Sequence, residues 1–352
     1  MKNLDPKYLD TATYLQSTRK PDFNNLLRVL EHSRPDRPTL FEFFLNDGLY
    51  RKLAGIEPDK SYTGLDVWKT TIKAYSNAGY DYTTIMSSDF GFSTNRHNAL
   101  KTISLNEGAV IHDRESFKQY QWPDPDSFDY SRLDTLAREL PEGMKFIVWG
   151  PGGVLENVIA LTGYDTLCYL SVDDPELVQD IFDEVGSRLV RYYEISAPYQ
   201  SVGALISNDD WGFNTQTMLS IPDMHKYVFP WHKKITDTIH AAGKPAILHS
   251  CGQLENVMDD IIDEMKYDAK HSYEDNILPV EQAYDKWGSR IAIFGGIGVD
   301  FLCRAAPEEI FKRSCNMLEK ASAKGSYALG SGNSIPYYVP GENYLAMISA
   351  VR

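Results

Sequence analysis

Residues 246–252 read Ala-Ile-Leu-His249-Ser-Cys251-Gly, an apolar run that ends in an imidazole and a thiol one residue apart. On a strand, positions i and i+2 face the same side, so His249 and Cys251 converge if they sit at the strand's exit. Imidazole nitrogen and thiolate sulfur are the usual ligands of zinc, and too few cysteines lie nearby for an enclosed structural site. A site with few protein ligands keeps a coordination position open, which catalysis by a metal requires. Glu274 is expected as the third ligand, from the end of the next strand; its alternative role is a surface carboxylate before the Asp275-Asn276 turn. The alternative for His249 and Cys251 themselves is a structural histidine beside an inert core cysteine.

Other groups with chemistry stand at the ends of other apolar runs. Glu42 is carried by the first, and Asp209 and Asp210 follow Ile206-Ser-Asn208. These three carboxylates are read as catalytic, supplying a proton, acting as a base or orienting a substrate hydroxyl; capping a turn is the competing role for either aspartate. Trp149, Trp211, His271, Ser331 and Asn333 are read as substrate-binding. His271 is equally a candidate for a partner that orients a metal ligand, or for a core histidine.

Positioning such groups together takes several strands that end at one face. Eight short β-type runs alternate with helical patterns: Thr39 to Leu45, Tyr82 to Met86, Phe146 to Trp149, Ala204 to Ser207, Ala246 to His249, Ala269 to Ser272, Ile291 to Phe294 and Tyr327 to Leu329. Asp174-Pro175, Ser220-Ile221-Pro222 and Ala306-Pro307 are helix starts, and Gly243 and Gly325 are helix stops. This alternation predicts an α/β fold, a (β/α)8 TIM barrel with its chemistry at the carboxyl ends of the strands; an open doubly wound sheet is the alternative. The reading is one domain over residues 1–352, with an N-terminal helical extension at 1–37 and an insertion after strand 2, from Asn95 to Leu140.

Composition limits the partners. The 352-residue chain carries a formal net charge of −14 and shows no basic stripe, so a nucleic acid partner is not expected. No apolar run reaches the roughly 18 residues of a membrane span. The four cysteines are sparse and no secretory leader is present, which reads as a cytoplasmic protein with reduced thiols. The oligomeric state stays open, a homodimer among the options.

The blocks Ile206-Ser-Asn-Asp-Asp-Trp-Gly212, Leu248-His-Ser-Cys-Gly252, Ala269-Lys-His271-Ser272 with Glu274, Phe294-Gly-Gly-Ile297 and Leu329-Gly-Ser-Gly-Asn-Ser-Ile-Pro336 resemble the uroporphyrinogen decarboxylase superfamily over most of the chain. The H-x-C element resembles its cobalamin-dependent methyltransferase branch, whose members bind zinc through H-x-C and usually a later cysteine. The resemblance implies a TIM barrel, a Zn2+ cofactor, a small methylated substrate and a corrinoid carried by a partner protein; the aromatic residues expected around the mouth, Phe43, Phe44, Trp149 and Trp211, would suit an aryl methyl ether. Two departures stand out. The later cysteine falls near Asn333, a poor substitute for thiolate. The arginine-rich element by which the decarboxylase branch holds its acidic tetrapyrrole is missing from Phe41 to Tyr50, where Glu42 and Asp47 stand instead. The resulting expectation is a zinc-dependent methyltransferase that exchanges a methyl group with a corrinoid protein. The alternatives are a decarboxylase acting on a different acid and a non-catalytic tetrapyrrole- or corrinoid-binding protein.

Overall fold

The apolar runs form eight parallel strands in a computed structural model that describes residues 3–16, 19–56, 63–95 and 104–352. They are β1 (Thr39–Leu40), β2 (Tyr82–Met86), β3 (Lys145–Trp149), β4 (Val202–Asn208), β5 (Ala246–His249), β6 (Ala269–His271), β7 (Ala292–Phe294) and β8 (Tyr327–Leu329). Their order in one curled sheet is β1-β8-β7-β6-β5-β4-β3-β2. Helices occupy the connections, as parallel pairing demands, and this is the TIM-barrel-like α/β architecture expected. Strands such as β4 are buried along their whole length, because one face meets the interior and the other meets the helices. Inside, the Phe41 ring lies 5.6 Å from that of Tyr82 and 4.5 Å from that of Phe294.

The first strand is shorter than expected. Phe41 N–H still reaches the Leu329 carbonyl at 2.8 Å, but beyond it the chain leaves the ladder. The Tyr82 hydroxyl accepts from Glu42 N–H and donates to the Glu42 carbonyl, both at 2.7 Å. Thr84 and Tyr75 hydroxyls donate to the Phe43 carbonyl at 3.1 and 2.9 Å. Among the described residues no backbone ladder joins β1 to β2; side-chain hydroxyls bridge that seam.

Helix boundaries follow the capping chemistry. Asp174 accepts from Leu177 N–H at the start of Pro175–Ser196, and Ser220 accepts from Asp223 N–H at the start of Ile221–Asp223. The helix expected over residues 221–242 widens into a π turn at Met224–Val228 before resuming as Phe229–Ala241, at the point where Pro230 has no N–H to give. Before β1 lie a 3-10 turn at Pro6–Leu9 and helices Thr11–Leu15 and Asn24–Leu30. Between β2 and β3 lie helices Arg114–Gln119 and Arg132–Ala137 with a 3-10 turn at Pro125–Ser127. Residues 1–2 and 17–18 of the extension, and 96–103 of the stretch read as an insertion, lie outside the described residues. No helix among the described residues is long and apolar enough to cross a membrane.

Candidate metal centre

Register decides which side chains meet. Asn208 pairs with His249, and His249 with His271, across β4, β5 and β6. Two residues further along, alternation carries Asp210 and Cys251 to the same face as that row. The ligand atoms of Asp210, His249 and Cys251 all lie within 4.8 Å of one another. His249 Nε2 is 3.8 Å from Cys251 Sγ and 3.9 Å from Asp210 Oδ1. Asp210 is also held by the Cys251 N–H, which donates to its Oδ1 at 2.9 Å. A tetrahedral ion held at about 2.0–2.3 Å needs its ligands roughly 3.3–3.7 Å apart, so these three atoms are nearly in place.

The protonation states suit a ligand set. Burial, helped by the nearby Lys270 ammonium, pushes His249 down to about 3, so its imidazole is neutral. Burial followed by the Asp210 charge pushes the Cys251 thiol up, so a thiolate there needs a cation beside it. The Asn333 amide donates to Cys251 Sγ at 3.3 Å. Asn333 thus touches the sulfur as a donor, at the position where the family resemblance implies a ligand.

Behind His249 stands a line of buried groups. The His249 and His271 Nδ1 atoms are 2.8 Å apart, and His271 Nε2 is 3.3 Å from the Ser331 carbonyl. Ser331 in turn donates its N–H and hydroxyl to the two Glu42 oxygens at 2.6 and 2.8 Å. Burial raises the Glu42 carboxyl to about 8 against the pull of those two bonds. On the other side of His249 the Phe43 ring lies 4.7 Å away, with Trp149 edge-on to Phe43 and Phe44 at 5.8 and 4.9 Å.

Three of the residues expected to act do something else or lie elsewhere. Asp209 is fully buried and points away from the metal cluster. Its carboxylate accepts from Leu155 and Glu156 N–H, both at 2.9 Å, and lies 2.8 Å from His232 Nε2. It therefore caps helix Val154–Thr162 across the sheet. Trp211 is also fully buried, its ring 4.7 Å from His232 and 5.4 Å from Phe229, in the packing beneath that cap. Glu274 lies three residues beyond the end of β6 and is not in the cluster of Asp210, His249 and Cys251. It lines a cleft of about 1000 Å³ with Asn333, Tyr273, Phe301 and Tyr338, and its place in the ligand cluster is taken by Asp210.

Lys270 was not anticipated. It is fully buried on the helix-facing side of β6, donates to the carbonyls of Ser272 and Ser250 at 2.6 and 3.2 Å, and lies 4.4 Å from the Tyr273 ring centre. Burial lowers its ammonium to about 8, partly offset by Cys251, Asp210 and Glu274. A lysine between Ala269 and His271 in an apolar run was the available signal.

The profile of the family described as Uroporphyrinogen decarboxylase (URO-D) matches residues 53–352. A search of curated proteins finds no match. Among solved structures, a methyltransferase from Methanosarcina mazei superposes with a TM-score of 0.67 at 14% identity, covering 94% of this chain and 98% of that one. An endo-beta-1,4-xylanase from Gloeophyllum trabeum superposes with a TM-score of 0.41 at 11% identity, covering 65% of this chain and 82% of that one.

Proposed function

Because the chain belongs to the uroporphyrinogen decarboxylase family, and because nitrogen, sulfur and carboxylate ligands converge at one strand exit, we propose that it is a zinc-dependent methyltransferase. It moves a methyl group between a small methylated substrate, an aryl methyl ether being the favoured class, and a corrinoid held by a partner protein. The convergence of Asp210, His249 and Cys251 is the observation that carries this reading. The likeness in fold to a protein named as a methyltransferase is in keeping with it.

His249, Cys251 and Asp210 would hold the zinc. Bound there, zinc supplies Lewis-acid activation of a departing heteroatom or keeps a thiol acceptor ionised. The chain's own residues do the rest. Asn333 donates to the sulfur and steadies its negative charge. Phe43, Phe44 and Trp149 form an aromatic wall beside His249 that suits a flat methylated ring. Passing the methyl group to a corrinoid would break its bond to oxygen, and the oxygen would be left to take up a proton.

The wider setting disfavours the decarboxylase alternative. The cleft carries Glu274 with Asp275 and Asp300, of which Asp275 pairs with Arg313 at 2.7 Å and Asp300 with Arg304 at 2.8 Å, and Arg51, the first arginine after β1, pairs with Asp47 at 2.7 Å. These arginines already carry acidic partners, so a substrate bearing many carboxylates would have to displace one. Zinc content and affinity, measured for His249→Ala, Cys251→Ala, Asp210→Ala and Glu274→Ala, test the site: the first three are expected to lose zinc and the fourth to keep it. A screen of methoxylated aromatics, methylamines and methyl thiols against reduced cobalamin, followed by the cobalt spectrum, tests the reaction. Metal-free wild-type protein after growth in ample zinc, or carbon dioxide release from a porphyrinogen, would overturn the reading.

A further inference from the structure

We infer that His271 is a positioning residue which fixes the tautomer of His249 and so decides which imidazole nitrogen is free for a cation. The inference rests on the proposed metal site for its meaning, but its geometry stands without any metal.

A carbonyl oxygen only accepts, so the 3.3 Å contact of His271 Nε2 with the Ser331 carbonyl places a proton on Nε2. A neutral His271 then has a bare lone pair on Nδ1. The 2.8 Å contact between the two Nδ1 atoms needs one donor and one acceptor, so His249 must carry its proton on Nδ1. Its Nε2 lone pair is thereby free, and Nε2 is the atom that faces Cys251 and Asp210. The opposite assignment requires an imidazolium at His271, which is fully buried beside the buried Lys270 ammonium, the costly arrangement.

The line is anchored at its far end. Ser331 spends its N–H and hydroxyl on Glu42, which fixes the peptide whose carbonyl meets His271. Space is also reserved for the imidazole. Gly295 adopts a φ of +69°, and a Cβ there would lie 2.2 Å from the Ser331 oxygen and 2.9 Å from the His271 ring, so a larger residue would push the two apart. Phe41 packs edge-on to the same ring at 5.0 Å. Glu42 and Ser331 thus act on the site through His271, without touching the ligand atoms.

Two measurements decide the matter. In metal-free wild-type protein carrying nitrogen-15 histidine, long-range proton-nitrogen spectra report which nitrogen of each ring bears the proton; His249→Ala and His271→Gln assign the signals. The expected result is a proton on Nδ1 of His249 and on Nε2 of His271. A proton on Nε2 of His249 would overturn the inference. Zinc affinity by chelator competition is the second readout. Loss of an outer partner of a metal ligand costs about 10–100-fold, so His271→Leu is expected to weaken zinc by that factor. His271→Gln, whose carbonyl oxygen accepts from His249 and whose amide donates to Ser331, is expected to restore most of it. Wild-type affinity in His271→Leu would overturn the inference. If His271→Leu does not fold, the glutamine variant and the wild-type spectrum still decide. Wild-type protein that takes no zinc would overturn the proposed metal site, while the tautomer spectrum would judge the positioning role separately.

Discussion

Replacing Asp209 by asparagine separates a structural carboxylate from the proposed metal ligand one residue away. The Asp209 carboxylate accepts two backbone N–H groups at the start of helix Val154–Thr162 and meets His232 Nε2 at 2.8 Å. Hydrogen bonds to a charged group contribute about 1.5–3 kcal/mol each, and a lost helix cap costs about 1 kcal/mol. Asparagine keeps one acceptor oxygen but turns an NH2 toward a donor, so at least one bond is lost and one donor is left unpaired. The expected loss is about 2–4 kcal/mol, a large share of the roughly 5–15 kcal/mol that holds a typical protein folded. The assay is urea unfolding followed by circular dichroism, run beside a zinc titration. Asp209→Asn should unfold at clearly lower urea while its folded form binds zinc as wild type does. An unchanged midpoint, or a full loss of zinc at unchanged stability, would refute the division of labour between Asp209 and Asp210.

Gly153→Ala should destabilise by about 1–3 kcal/mol, because a Cβ at that position would lie 2.1 Å from the Asp209 side chain; thermal unfolding checks this. The Glu42 carboxyl lies near 8 in the folded chain against 4.5 as its ordinary value. The folded state therefore holds its proton more tightly, and stability should fall as pH rises from about 4.5 to about 8, by at most about 1.4 kcal/mol per pH unit. Glu42→Gln should flatten that slope in urea midpoints measured across the window; an unaltered slope would show the group is not responsible. Cys251→Ser should lower zinc affinity while leaving the fold intact, since the thiol is only partly buried and its backbone N–H keeps its bond to Asp210. Zinc competition with circular dichroism as control measures it.

Much of this architecture can be read from residue order. The runs that became β2 to β8 are apolar and bounded by proline, glycine or acidic residues, so their limits differ from expectation by two residues at most. The first strand differs more. What shortens it is a set of hydroxyls on Tyr75, Tyr82 and Thr84, tens of residues away and invisible to local pattern. In the site, the i and i+2 spacing of His249 and Cys251 brought them to one face. Asp209 and Asp210 are chemically identical in the sequence, and only the pairing of Asn208 with His249 reveals that Asp210 shares the parity of Cys251 while Asp209 faces the helices. Trp211 misled for a simpler reason: an aromatic beside two acids reads equally as a wall of a cleft or as packing beneath it.

The Tyr82 phenol takes from the N–H and gives to the carbonyl of a single residue, Glu42, as a neighbouring strand does. The curled sheet is thus fastened on this side by a clasp that one oxygen atom forms. Tyr82→Phe would remove that clasp while sparing every ladder bond elsewhere, and the stave it frees carries Glu42, the anchor at the far end of the histidine pair. Slackness introduced at the fastening would accordingly be felt at the His249 imidazole, three contacts away, with no change to any group that touches it.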